Sequence, residues 1–287
     1  MPADIVLLGT GVIRPDLERS GPATLLRFGQ ELILVDCAEG TTLQLLRAGV
    51  PPQQVQVMFF THLHADHILG YPYFVIAGWS DGRQALRVYG PPGTARMHAL
   101  LFEEILAEDL AYRLSLGRPP SGLLDVSVHE LHPGPVDYPG EVRIFAFETV
   151  HATYNLAYRF EHPEGSAVVS GDTAYFEPLA EFARGADVFV LECSLVEGAR
   201  RTVYRGPEGE RVWQHLQAQH LTARQAGLLA RSAGVPRLVL NHLPRGVDPG
   251  EIVTEIQGVY DGEVVVGEDL LVVPLQGPPL RLYPVRP

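Results

Sequence analysis

With 287 residues, 46% of them hydrophobic and 20% charged, the chain has the composition of a compact globular protein and not of a disordered one. Its formal net charge of −12, with arginine supplying all 22 strong bases, argues against a protein whose main task is to coat long nucleic acid. No charged-then-apolar leader and no apolar run of about 18 residues is present, so no secretion signal or membrane span is expected, and a cytoplasmic location is.

Short runs rich in Val, Ile, Leu and Phe, closed by Gly, Pro or Asp, predict strands at 3–11, 23–29, 31–37, 55–62, 86–91, 126–131 and 141–151. Helical spacing appears at 40–49 and 94–114. The rhythm repeats further on, with strands at 156–162, 166–172, 187–193 and 237–242 and helices at 176–186 and 222–235. The tail, EVVVGEDLLVVPL, reads as strand again. Nothing resembling a linker interrupts this pattern. It predicts one α/β domain over 1–287, with halves at roughly 1–140 and 141–287 and a helical insert at about 94–118 that is expected near the active site. Cys37 and Cys193 lie in apolar runs without CxxC spacing and are expected to be buried free thiols.

The stretch THLHADHILG (61–70) places His62, His64, Asp66 and His67 directly after the apolar run VQVMFF, hence at a strand end, where loops of an α/β sheet converge. Imidazole and carboxylate together suit a borderline divalent ion, zinc first, with manganese or iron as alternatives. His151, Asp172 and His242 close three other apolar strands. One polar residue at a strand end is ordinary; four strand ends carrying His or Asp point to a metal site.

HLHADH resembles the HxHxDH signature of the metallo-β-lactamase superfamily, and His151, Asp172 and His242 match its later ligands in order. The resemblance implies a four-layer αββα metallo-β-lactamase-like sandwich built of two similar halves. It also implies two divalent metal ions, Zn2+ with Mn2+ or Fe2+ as alternatives. One would take His62, His64 and His151, the other Asp66, His67 and His242, with Asp172 bridging. Two ions so held are suited to in-line displacement by a metal-bridging hydroxide.

Three further stretches, LLGTGVIRPDLERSGPATLL, VDCAEGTTLQLL and AQHLTARQAGLLARSAGVPRLVLNH, are similar to the ribonuclease Z branch, whose enzymes cleave the 3′ trailer from tRNA precursors. That likeness implies phosphodiesterase chemistry, with His220 as the general acid for the leaving oxygen and Asp66 orienting the attacking water or taking its proton. It also implies Thr222 as a helix cap, while Thr173 is expected to hold the turn after Asp172. Glu39 is read as a partner of the ligand imidazoles. The branch's long tRNA-gripping arm has no room here, because only 21 positions separate His151 from Asp172. The branch's PxKxRN loop corresponds to PDLERS, with Leu17 and Ser20 in place of Lys and Asn. These departures argue against an intact tRNA precursor and leave a small or single-stranded phosphodiester as the expected substrate, with a homodimer as the expected assembly.

Two segments have two readings each. The aromatics Tyr71, Tyr73, Phe74 and Trp79 either pack a helix or stack on substrate, and Arg200, Arg201, Arg205 and Arg211 in a Gly-rich loop are either solvated or bind phosphate. Alternatives to a phosphodiesterase are a hydrolase of a small ester (lactone, aryl sulfate or thioester) on the same ligands, and a metal-holding binding module.

Overall fold

A computed structural model describes residues 3–278. Two seven-stranded mixed sheets carry the architecture. The first runs in the order β14 (Leu271–Pro274), β1 (Asp4–Gly9), β2 (Ala23–Phe28), β3 (Glu31–Val35), β4 (Val57–Phe59), β5 (Arg87–Gly90) and β6 (Ser127–Glu130). The second runs β13 (Glu263–Val266), β12 (Arg237–Asn241), β11 (Val188–Glu192), β10 (Gly165–Val169), β9 (Asn155–His162), β8 (Arg143–Thr149) and β7 (Gly134–Pro135).

The strands are apolar on both faces because each sheet is covered twice. Ile5 and Leu7 of β1 point into the core between the sheets, whereas Val6 and Leu8 point outward into a second core. Val188 and Val190 of β11 face the inter-sheet core, and Phe189 and Leu191 face a third. The second core is closed by α1 (Thr41–Arg47) and α3 (Tyr71–Ser80), through Leu45, Phe74 and Val75. The third is closed by α6 (Glu177–Ala183), α9 (Ala223–Ala233) and α10 (Pro249–Gln257), through Leu179, Leu229 and Ile252. The result is a four-layer αββα sandwich. Burying each large apolar side chain contributes about 1.5–3 kcal/mol.

Two predicted segments turn out differently in detail, and a third resolves to one of its two readings. The tail is not one strand: β13 belongs to the second sheet and β14 to the first. Between them Leu270 adopts a left-handed backbone (φ 65), and Asp269 accepts from Thr10 N, Ser20 N and Gln44 Nε2, pinning the crossover to the first sheet. Hydropathy cannot register that switch, since both pieces are equally apolar. The Arg-bearing stretch 198–213 is not a loop but mostly α7 (Glu197–Thr202) and α8 (Gly206–Leu216), the latter with Pro in its first turn and Trp213 buried. Arg200 there pairs with Glu197 and Glu210, and Arg201 with Glu251. Finally, Tyr71, Phe74 and Trp79 are buried on α3 as packing residues, while Tyr73 is 60% exposed.

The insert consists of α4 (Thr94–Ala99), a π-helical turn at Leu100–Ile105 and α5 (Ala107–Ser115). It packs on the outer face of the first sheet through Phe102 and Leu110. Cys37 and Cys193 are free and buried.

Candidate metal centre

β3 and β4 run parallel, as do β10, β11 and β12, and β8 shares their direction because both it and β10 are antiparallel to β9. The C-terminal ends of these strands therefore lie along one edge of the sandwich. His62 and His64 follow β4, and Asp66 and His67 sit on the short helix α2 (Ala65–Ile68). His151 follows β8, Asp172 follows β10 and His242 follows β12. His242 is held at φ 53, a conformation uncommon for a residue with a side chain.

The seven side chains converge. Donor atoms of His62, His64, His151 and Asp172 lie within 4.8 Å of one another, and so do those of Asp66, His67 and His242. The two Asp172 oxygens divide between the groups. Oδ2 lies 3.8 Å from His62 Nε2 and 3.8 Å from His151 Nε2, and Oδ1 lies 3.6 Å from His67 Nε2 and 3.5 Å from His242 Nδ1.

The outer partners bear on which nitrogen of each ring carries its proton. His151 Nδ1 is 3.0 Å from the Gln219 carbonyl, which can only accept. Thr61 gives its hydroxyl proton to Asp36, so its oxygen accepts from His62 Nδ1 at 3.0 Å. Ser194 Oγ lies 2.7 Å from His242 Nδ1 and 3.2 Å from the His242 carbonyl, with one hydroxyl proton to give to either. His67 Nδ1 donates to Asp36 Oδ2 at 2.9 Å.

The rings of His151 and His62 are thus left with a lone pair on Nε2. Those of His62 and His151 crowd His64 Nδ1 at 3.0 and 3.1 Å, and that nitrogen has at most one proton to share between them. His67 Nε2 is buried with no hydrogen-bond partner, and His242 Nε2 meets the Asp66 carboxylate at 3.3 Å. Lone pairs pointed at one another, and a buried ring nitrogen without a partner, are costly unless a cation lies among them. The donor set fits divalent ions.

The charges agree. Burial holds His62 well below the ordinary histidine value and also lowers His64 and His151, keeping them neutral and able to ligate. Burial acts the same way on His67, but the Asp36 and Asp172 carboxylates overcome it and raise this ring well above the usual value, a demand for positive charge at its position. For Asp172, burial opposes ionisation, and His242 and His67 outweigh it and hold the carboxyl well below its ordinary range.

Residues 31–243 match the beta-lactamase superfamily domain. A ribonuclease Z of Mycobacterium bovis is 32% identical over 284 residues, covering 93% of this chain and 96% of its own. The chain belongs to the β-lactamase superfamily, in its ribonuclease Z-like branch. Solved structures agree on the fold. The metallo-β-lactamase fold protein YhfI of Bacillus subtilis superposes with a TM-score of 0.75 at 21% identity, over 95% of this chain and 99% of its own. The short form of human tRNase Z superposes with a TM-score of 0.69 at 22% identity, over 95% and 99%.

In this ribonuclease Z-like chain, His220 stands beside the seven residues, its ring 5.1 Å from that of His151 and 5.9 Å from that of His242. Its Nδ1 donates to Glu192 Oε1 at 2.9 Å. Burial lowers this ring's proton affinity, but Glu192 more than compensates and raises its pKa to about 9. Glu192 also accepts from Thr173 N, Leu221 N and Ser194 N, so one carboxylate ties together the turn after Asp172, the HLT segment and the partner of His242.

Asp36 and Glu192 are the supporting residues that the sequence reading did not single out. Glu39, read as such a partner, is exposed and forms no bond to the imidazoles among the described residues; Asp36, three positions earlier, takes that place. Both Asp36 and Glu192 close apolar strands just as the candidate ligands do, and that was the available signal. Thr222 caps α9 as expected, in a capping box with Gln225. A cavity of about 340 Å³ opens over Asp66, Asp172, His220 and His242 and is walled by Ile13, Tyr204 and Leu216 among others. The insert contributes nothing to its lining.

Proposed function

We propose that this ribonuclease Z-like hydrolase cleaves phosphodiesters with two divalent ions, zinc in the native enzyme. His62, His64 and His151 would hold one and Asp66, His67 and His242 the other, with Asp172 between them. The single observation that carries this reading is the division of Asp172, one oxygen toward each group of imidazoles. Bound there, such a pair polarises the phosphoryl group and lowers the pKa of an attacking water.

The chain's own residues do the rest. Asp66, only partly buried and lining the cavity beside His242, orients the water and accepts its proton. His220, with Nδ1 committed to Glu192, has Nε2 to give a proton to the leaving oxygen as the phosphorus–oxygen bond breaks. Glu192 keeps that ring in one tautomer and one orientation.

The whole chain acts as one metallo-hydrolase domain, its site drawing ligands from both halves. The substrate is a small or single-stranded phosphodiester. The intact tRNA precursor is disfavoured, because the chain between β8 and β10 forms only β9 and two turns, with no gripping arm.

Turnover of bis(p-nitrophenyl) phosphate, an aryl sulfate and a homoserine lactone by metal-loaded protein tests this. The phosphodiester should lead in kcat/KM by at least about tenfold. Hydrolysis of the lactone with the phosphodiester left intact would refute phosphodiester chemistry.

A further inference from the structure

The wall of the cavity that His220 lines also contains a cation that the chemistry above does not use. Arg14 lines this space, its Cζ 5.6 Å from the centroid of the Tyr204 ring. Tyr204 in turn lies 5.5 Å from Trp213, and Arg200 stands over Trp213 at 5.8 Å. The four side chains form a row of two adjoining rings with a guanidinium over each outer face, fixed at its far end by the Arg200 pairs to Glu197 and Glu210.

Arg14 is thereby positioned without a carboxylate. Nearby arginines are committed elsewhere: Arg19 donates to Thr10 Oγ1 and the Gly267 carbonyl, and Arg201 pairs with Glu251. Among the described residues, Arg14 has no hydrogen bond or ion pair, so its guanidinium donors are all available. A planar, unpaired guanidinium lining a cavity of about 340 Å³ matches a phosphate group, and the cavity has room for a nucleoside.

We propose that Arg14 is a specificity residue that binds a second phosphate on the leaving half of the substrate. The preferred substrate class is then a short oligonucleotide whose leaving nucleoside carries a 5′-phosphate as well as the scissile 3′-phosphodiester. The assignment of the leaving half rests on the reading of His220 as proton donor, because His220 lines this same cavity. Ile13 and Leu216 supply apolar surface for the sugar and base, and Tyr204, already engaged by Arg14, orients the guanidinium.

Calorimetric titration of the metal-loaded protein with adenosine 3′,5′-bisphosphate and with adenosine 3′-monophosphate tests the assignment without requiring turnover. The wild type should bind the bisphosphate at least about tenfold more tightly, as expected for a charge-assisted contact. Arg14→Ala should abolish that preference while leaving affinity for the monophosphate within about twofold, and Arg14→Lys should restore part of it. Equal binding by the wild type overturns the proposal, as does a preference that survives in Arg14→Ala. Turnover of bis(p-nitrophenyl) phosphate, which lacks a second phosphate, is followed in both proteins as a separate readout of the chemistry. If neither protein turns it over while the bisphosphate preference holds, phosphodiester hydrolysis fails and the Arg14 site stands.

Discussion

Asp36 adopts a left-handed backbone (φ 60), an uncommon conformation for a residue with a side chain. From there its carboxylate accepts from His67 Nδ1, from Thr61 N and from the Thr61 hydroxyl, which itself accepts from His62. One residue thus orients an imidazole in each proposed metal site. Asp36→Asn keeps the shape but removes the charge and puts a donor in place of one acceptor. Metal affinity, measured by competition with a chelator, should fall about 10–100-fold, whereas Glu39→Gln should leave it unchanged. An unaltered affinity in Asp36→Asn would remove Asp36 from this role. At this scale the sequence was legible only in part. The candidate ligands follow a recognisable spacing, but Asp36 and Glu192 differ from any polar strand end only through what they meet across the chain, at separations of 31 and 28 residues.

Among the elements, α9 is the one whose start matters to chemistry, since His220 lies two residues before its cap. Thr222 Oγ1 accepts from Gln225 N, and the Gln225 side chain accepts from Thr222 N. Thr222→Ala should cost about 1 kcal/mol, within a range of roughly 0.5–2, read as a lower urea midpoint with an unchanged slope. A stability equal to wild type would mean that the box does not hold the helix. This helix was legible because its signals are local: Thr, a Gln three residues on, apolar spacing, and Gly234 at the end in a left-handed conformation. The tail and the Arg-bearing segment were not, because their outcomes depend on distant partners. Asp269 decides where 263–275 changes sheets, and burial of Trp213 helps convert a Gly-rich stretch into α8.

For the whole molecule, two sheets packed face to face bring strand ends from both halves to one edge. His62, His64, Asp66 and His67 come from the first sheet's side, and His151, Asp172 and His242 from the second's. The two-halved α/β pattern was legible in the apolar strands and the helices between them, whereas the face-to-face sandwich was implied by the resemblance to the metallo-β-lactamase superfamily. Assembly is less directly written. We propose a homodimer, because Ile13, Leu17, Leu43 and Leu69 expose apolar surface around one cavity near Asp66. Sedimentation equilibrium should therefore give twice the 31.5 kDa of the chain; a value of one chain across micromolar concentrations would exclude the dimer. The most direct test of the two-ion centre is metal content measured together with turnover. Purified protein loaded with zinc and freed of excess should hold two ions per chain, lose phosphodiester turnover on chelation and regain it as the second ion returns. Full turnover by protein carrying one ion or none would contradict it.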